Sequence, residues 1–165
     1  MLLEEFNTAP AEAAARLVRA CADVERWVQE VVTGRPYRSV EELVAAAERA
    51  ADPWTEPEID AALARHPRIG ERPSGDGSEA RLSRREQAAV ADADADVQDR
   101  IAAGNRAYED RFGHVFLIRA AGRTPGEILE QLQQRLLNTP ARERALAAGN
   151  LREIAAGRLR EMVSA

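Results

Sequence analysis

Lysine is absent: all 23 basic residues are arginine. A Schiff base, or a covalently held pyridoxal phosphate, needs a lysine amine, so both chemistries are excluded. Cysteine occurs once, at Cys21, which rules out a disulfide within the chain. The only histidines are His66 and His114, and no Cys/His pair has the spacing of metal ligands. Neither common glycine-rich phosphate loop is present. No run approaches the roughly 18 apolar residues of a membrane helix, and no charged-then-apolar stretch suggests a signal peptide. The last residues, Met162-Val163-Ser164-Ala165, are not a peroxisomal Ser-Lys-Leu address. The expectation is a cytoplasmic protein without cofactor, metal or membrane contact. Any enzyme here must work with its own side chains and its substrate's electronics.

What the chain does contain fits an ordinary soluble domain. Its 165 residues are 45% hydrophobic and 31% charged, enough to bury a core and too apolar for disorder. One domain covering 1–165 is expected. Aromatics are only 4%, so Ala, Leu, Val and Ile should build that core. The net charge is −5 and the arginines are interleaved with acids, which leaves no electrostatic footprint for nucleic acid. Cys21 falls among Leu17, Val18, Ala20 and Val24, where a buried, inert thiol is expected.

Helical spacing runs almost throughout, and the fold class is all-α, a single-domain multi-helix bundle. Asn7 or Thr8 caps a first helix, with Pro10 in its first turn. A second helix carries Val24, Trp27, Val28 and Val31 and stops near Gly34-Arg35-Pro36. Ser39 with Glu42, and Thr55 with Glu58, form capping boxes for the next two. Pro67 ends the latter at Arg65 or His66. Residues 70–78 read as a mobile loop. A helical region follows from about Leu82 to Arg111, broken near the Ala-Asp repeats at 91–96. Val115 to Ile118 is the one extended apolar run. Thr124-Pro125-Gly126-Glu127 caps another helix, and 140–163 form the last.

Three polar residues fall where a helix should be apolar. Arg158 lies seven after Leu151 and four after Ile154, within the stripe that includes Ala155, Leu159 and Met162. A buried arginine is costly unless it meets an anion, so it is either a structurally paired residue or a ligand clamp. His66 follows Ile59 and Leu63 by seven and four, at a helix C-terminus where the dipole favours imidazolium and burial opposes it. It is either a satisfied core histidine or an acid/base group. Glu86 stands between Leu82 and Val90, yet Ser83-x-x-Glu86 also reads as a capping box. Gln87 would then sit near the first turn. Together the three suggest one buried polar site; the rival is a non-enzymatic all-α interaction module with a His/Glu/Arg structural network.

An ordered set of motifs sharpens this choice. His66-Pro67-Arg68-Ile69-Gly70-Glu71, Ser83-x-x-Glu86-Gln87, and Asn105-x-x-Tyr108-x-x-x-Phe112-Gly113-His114-Val115-Phe116-Leu117-Ile118 come first. Ile128-Leu129-x-x-Leu132-x-x-Arg135-Leu136-x-Asn138 and Arg158-Leu159 follow. The series resembles the 2-oxo-4-hydroxy-4-carboxy-5-ureidoimidazoline (OHCU) decarboxylase family, from about Phe6 to Met162. Two departures match a bacterial branch: Arg68 to Glu71, where many members have an Asp-Leu-Ala-Gly-like run, and His114-Val115, where Pro often precedes the second Phe.

The resemblance implies an all-α homodimer without cofactor that converts OHCU to (S)-allantoin and carbon dioxide in urate breakdown. It places catalytic His66 and Glu86, and substrate-binding Pro67, Ser83, Gln87, Arg158 and the segment from Ile118 to Gly122. Such a substrate carries its own electron sink, a carbon–nitrogen double bond beside the carboxylate-bearing carbon. That suits a chain lacking lysine and metal ligands.

Overall fold

The structure, a computed structural model, describes residues 1–71 and 77–165. Among these residues there are ten helices and no strand; one isolated bridge pairs Leu2 with Ser164. The helices are α1 (Leu3–Thr8), α2 (Ala11–Cys21), α3 (Glu25–Thr33), α4 (Val40–Ala50) and α5 (Glu56–Arg65). They continue as α6 (Ser78–Glu86), α7 (Ala88–Ala91), α8 (Ala95–Phe112), α9 (Pro125–Arg135) and α10 (Pro140–Met162). The all-α expectation holds. None of the described helices is long and apolar enough to cross a membrane. Contacts group the chain into two compact units, Met1–Ala62 with Leu151–Ala165, and Leu63–Asn150; α5 and α10 each contribute residues to both.

In the first unit the expected opening cap is corrected. α2 has Pro10, not Asn7 or Thr8, at its N-cap, and those two residues finish α1. Six residues are too few for periodicity to reveal such a helix. Asn7 instead clasps Tyr37, its amide donating to the carbonyl at 2.8 Å and accepting from the N–H at 2.9 Å. α2 packs on α3 and α3 on α4. Across the second contact Trp27 Nε1 donates to the Ala47 carbonyl at 2.8 Å, and Trp54 meets the Trp27 ring edge-on.

Ser39 accepts the Glu42 N–H as expected, but the Glu42 carboxylate returns to the Arg38 N–H, one residue early. The Thr55 and Glu58 box closes in both directions. Cys21 is buried, as expected. The two ends of the chain meet here. The Met1 amine donates to the Met162 carbonyl, Leu3 N–H to the Ser164 carbonyl, and Ser164 N–H to the Met1 carbonyl, at 2.8–3.0 Å.

The second unit is built on α8 and α9. Ile69, Val90, Ile101, Tyr108, Phe116, Ile118, Ile128 and Leu132 belong to one buried cluster. α8 stops at Gly113, whose φ of +75° gives the left-handed cap that glycine adopts without strain. Thr124 and Glu127 open α9 through a complete capping box. Residues 72–76, most of the expected loop, lie outside the described residues. Ala, Val, Leu and Ile supply most of the buried hydrophobic residues, as expected. Phe6, Trp27, Tyr37, Trp54, Tyr108 and Phe116 are all buried, so the few rings the chain has mostly go inside.

Candidate functional site

His66 directly follows the last residue of α5, half-buried, with its N–H bonded to the Leu63 carbonyl at 3.2 Å. Pro67 forbids another helical turn there, so the chain swings into the turn Arg68-Ile69-Gly70-Glu71. Three consecutive residues of that turn are anchored. Arg68 forks onto Glu109 of α8, Nε to Oε1 at 2.5 Å and Nη2 to Oε2 at 2.9 Å. This bond holds the Glu109 carboxyl below the usual range, against the upward push of its partial burial. Ile69 enters the core cluster while its carbonyl accepts from buried Asn105 Nδ2 at 2.9 Å. Gly70, at φ +86°, donates its N–H to Gln87 Oε1 at 2.9 Å. The His66 turn is thus tied to α8 and to the end of α6.

The capping-box reading of Ser83 and Glu86 is overturned. α6 starts at Ser78 behind Gly77, so Ser83 lies inside the helix, 1% exposed, and Glu86 is its last residue. Gln87 is the C-cap, not a first-turn residue, and its N–H bonds to the Ser83 carbonyl. A cap at the helix start therefore explains neither residue. Gln87 and Gly70 share the wall of a cavity of about 460 Å³ with Glu71, Arg84, Ala88 and Asp92.

Ile118 is buried in the cluster that also holds Ile69 and Val90, so the segments after His66, after Glu86 and before Gly122 share one core. Gly122, at φ +81°, lies exposed in the turn before α9. Arg158 belongs to the first unit. It is 2% exposed, as its place in the stripe predicts, and its Nη1 lies 3.5 Å from the Cys21 carbonyl. Among the described residues no three His, Cys, Asp or Glu side chains gather to hold a metal ion.

With the His66 turn, the α6 terminus and the 118–122 segment placed, comparison with known proteins is decisive. The family model for OHCU decarboxylase matches residues 7–160. The chain belongs to that family. It is 31% identical over 133 residues to the uric acid degradation bifunctional protein TTL of Arabidopsis thaliana, covering 79% of this chain and 41% of that protein. It therefore spans less than half the length of that relative. To the 2-oxo-4-hydroxy-4-carboxy-5-ureidoimidazoline decarboxylase of Haloferax volcanii it is 29% identical over 141 residues, 84% of this chain and 82% of the other.

A crystal structure of an OHCU decarboxylase in the presence of (S)-allantoin matches with a TM-score of 0.73 at 26% identity, over 87% of this chain and 94% of that one. A crystal structure of (S)-allantoin synthase shares the fold, with a TM-score of 0.72 at 16% identity, over 99% of this chain and 54% of that one.

In this member of the OHCU decarboxylase family, sequence reasoning gave no role to a second polar cluster, buried in the Leu63–Asn150 unit. Arg135 sends Nε and Nη2 to Glu143 Oε2 at 3.0 and 2.8 Å, and Nη1 to the Leu117 carbonyl at 2.7 Å. Tyr108 donates its hydroxyl to the same Glu143 oxygen at 2.5 Å, and Asn138 Nδ2 donates to Oε1 at 2.7 Å. Phe116 stacks under the guanidinium, 4.7 Å from ring centre to Cζ. Burial pushes the Glu143 carboxyl up, but the bonds from Arg135, Asn138 and Tyr108 outweigh it and hold the group below the ordinary range. Burial raises the Tyr108 hydroxyl well above its usual value, and the bond to Glu143 adds to this. The stripe test applied to Arg158 would have found Arg135, seven after Ile128 and three after Leu132. Glu143 gives no such signal, because an acid in a helix's first turn reads as complementing the dipole.

Proposed function

We propose that this chain decarboxylates OHCU to (S)-allantoin and carbon dioxide in urate degradation, using its own side chains alone. The observation that carries the reading is the family match across residues 7–160, which includes every residue assigned a role here. That match also runs through both compact units, which supports treating 1–165 as one functional domain.

The bond between the ring carbon and the carboxylate breaks, its electron pair forms a double bond to the neighbouring ring carbon, and the carbon–nitrogen pair moves onto nitrogen, which takes a proton from water. One proton then leaves the hydroxyl, which becomes the ring carbonyl. Another reaches the ring carbon that becomes the (S) centre. His66 and Glu86 carry these two transfers, the general acid–base work that imidazole and carboxylate side chains perform. Arg158 grips a carboxylate or carbonyl edge through its planar fork. Ser83 and Gln87 read the ureido and ring groups, Pro67 fixes the backbone at His66, and the segment from Ile118 to Gly122 meets the ring edge. As the family resemblance implies, the reading includes a homodimer; the cytoplasm is the compartment expected for it.

The test follows optical rotation while urate, urate oxidase and hydroxyisourate hydrolase feed the protein. Dextrorotatory (S)-allantoin should form well ahead of spontaneous decay to racemate. The His66→Asn variant should lose about 10²–10⁴-fold in kcat with its helix content intact. Rotation no faster than the protein-free control would overturn the assignment, and a loss under tenfold would remove His66 from proton transfer.

A further inference from the structure

We infer that Asn150 and Arg135 are positioning residues for the 118–122 segment, holding its backbone from both sides so that it meets substrate preformed. The inference rests on the reading above that this segment contacts OHCU. Leu117, Ile118 and Arg119 form no regular element, and a free chain there would sample many conformations. Three of its backbone groups are nevertheless fixed. The Leu117 carbonyl accepts from Arg135 Nη1 at 2.7 Å, and Arg135 is itself locked by Glu143. The Arg119 N–H donates to Asn150 Oδ1 at 2.9 Å, and Asn150 is steadied by its own bond to the Leu146 carbonyl. The Arg119 carbonyl accepts from Arg123 Nε at 3.1 Å.

Between these anchors, neither backbone group of Ile118 has a hydrogen-bond partner among the described residues. A donor and an acceptor left unpaired on a segment pinned at each end form a rigid edge that can read an amide-like edge of a ligand. Asn150 is the informative anchor, because it is only half-buried and its loss leaves the Arg135 cluster untouched.

The experiment compares wild type, Asn150→Ala and Asn150→Asp in steady-state OHCU turnover and in residue-resolved amide exchange. Asn150→Ala should raise KM about fivefold with kcat within about twofold, the signature of lost uniform binding, while the Arg119 amide exchanges faster. Asn150→Asp keeps an acceptor for that amide and should restore both readings to within about twofold of wild type. Wild-type kinetics in Asn150→Ala, or a fall in melting temperature alone, would overturn the positioning role while leaving the function intact. An inactive wild type would instead sink the function. The exchange arm would then still decide whether Asn150 holds Arg119.

Discussion

Arg158 and Arg160 stand two positions apart on α10, one 2% exposed and the other on the surface. At 100° per residue they point about 200° apart, so a charge-preserving change separates recognition from simple attraction. Arg158→Lys should cut kcat/KM severely with helix content unchanged, because an ammonium cannot reproduce a two-bond fork. Arg160→Lys should be nearly silent. Equal kinetics would leave Arg158 a structural residue. Arg158 also marks what single residues disclose in advance: an arginine on an apolar stripe was legible, and it is buried. The cap alternative for Ser83 and Glu86 fails for a reason equally local. The stretch SEARLSRRE holds one large apolar residue, Leu82, so no periodicity fixed the helix start. A Ser-x-x-Glu pattern was then free to suggest the wrong one.

At the scale of elements, turn chemistry guided some boundaries and misled at others, Asn7 and Ser83 among them. Thr55, Thr124 and Pro67 place their boundaries as read, and the Ala-Asp repeats break the chain between α7 and α8. Packing between elements was not legible, and Gly104 shows why. Inside α8, replacing Gly by Ala should add about 1 kcal/mol of helix propensity. Here a Cβ would come within 2.5 Å of Leu132 Cδ2 and 3.0 Å of its Cγ on α9, and Leu132 is fully buried. Overpacking costs about 1–3 kcal/mol, so the crowding should win. Thermal melts should show Gly104→Ala lowering Tm by several degrees. Gly149→Ala, whose Cβ meets nothing within 4 Å, should raise Tm slightly. A Tm gain at Gly104 would mean that α8 and α9 can part at little cost.

For the whole molecule, three buried titrating groups bound the pH range of stability. Glu143 is held below its unfolded value of about 4.3, so its contribution is complete above that pH and lost as pH falls through the folded value. Tyr37 is raised mainly by burial, and Tyr108 by burial and the Glu143 bond. Their contributions are complete below about pH 10 and lost as pH rises through the folded values. Denaturant-determined stability should therefore be flat between about pH 5 and 9.5 and fall on both sides. Glu143→Gln should cost about 3–5 kcal/mol at pH 7, since it leaves Arg135 buried without its counter-charge, and should flatten the acid limb. An unchanged acid limb would assign that slope to other carboxylates. The pairing of Met1 and Leu3 with Met162 and Ser164 has a further consequence, one of time. A chain is made from its N-terminus, so the Leu63–Asn150 unit has all its residues before Leu151–Ala165 exist. The contacts between Met1–Ala62 and Leu151–Ala165 can form only once that later segment has been made. Closing an unstructured loop as long as the intervening stretch costs about 4 kcal/mol of chain entropy. Any structure the middle unit forms first shortens the loop left to close.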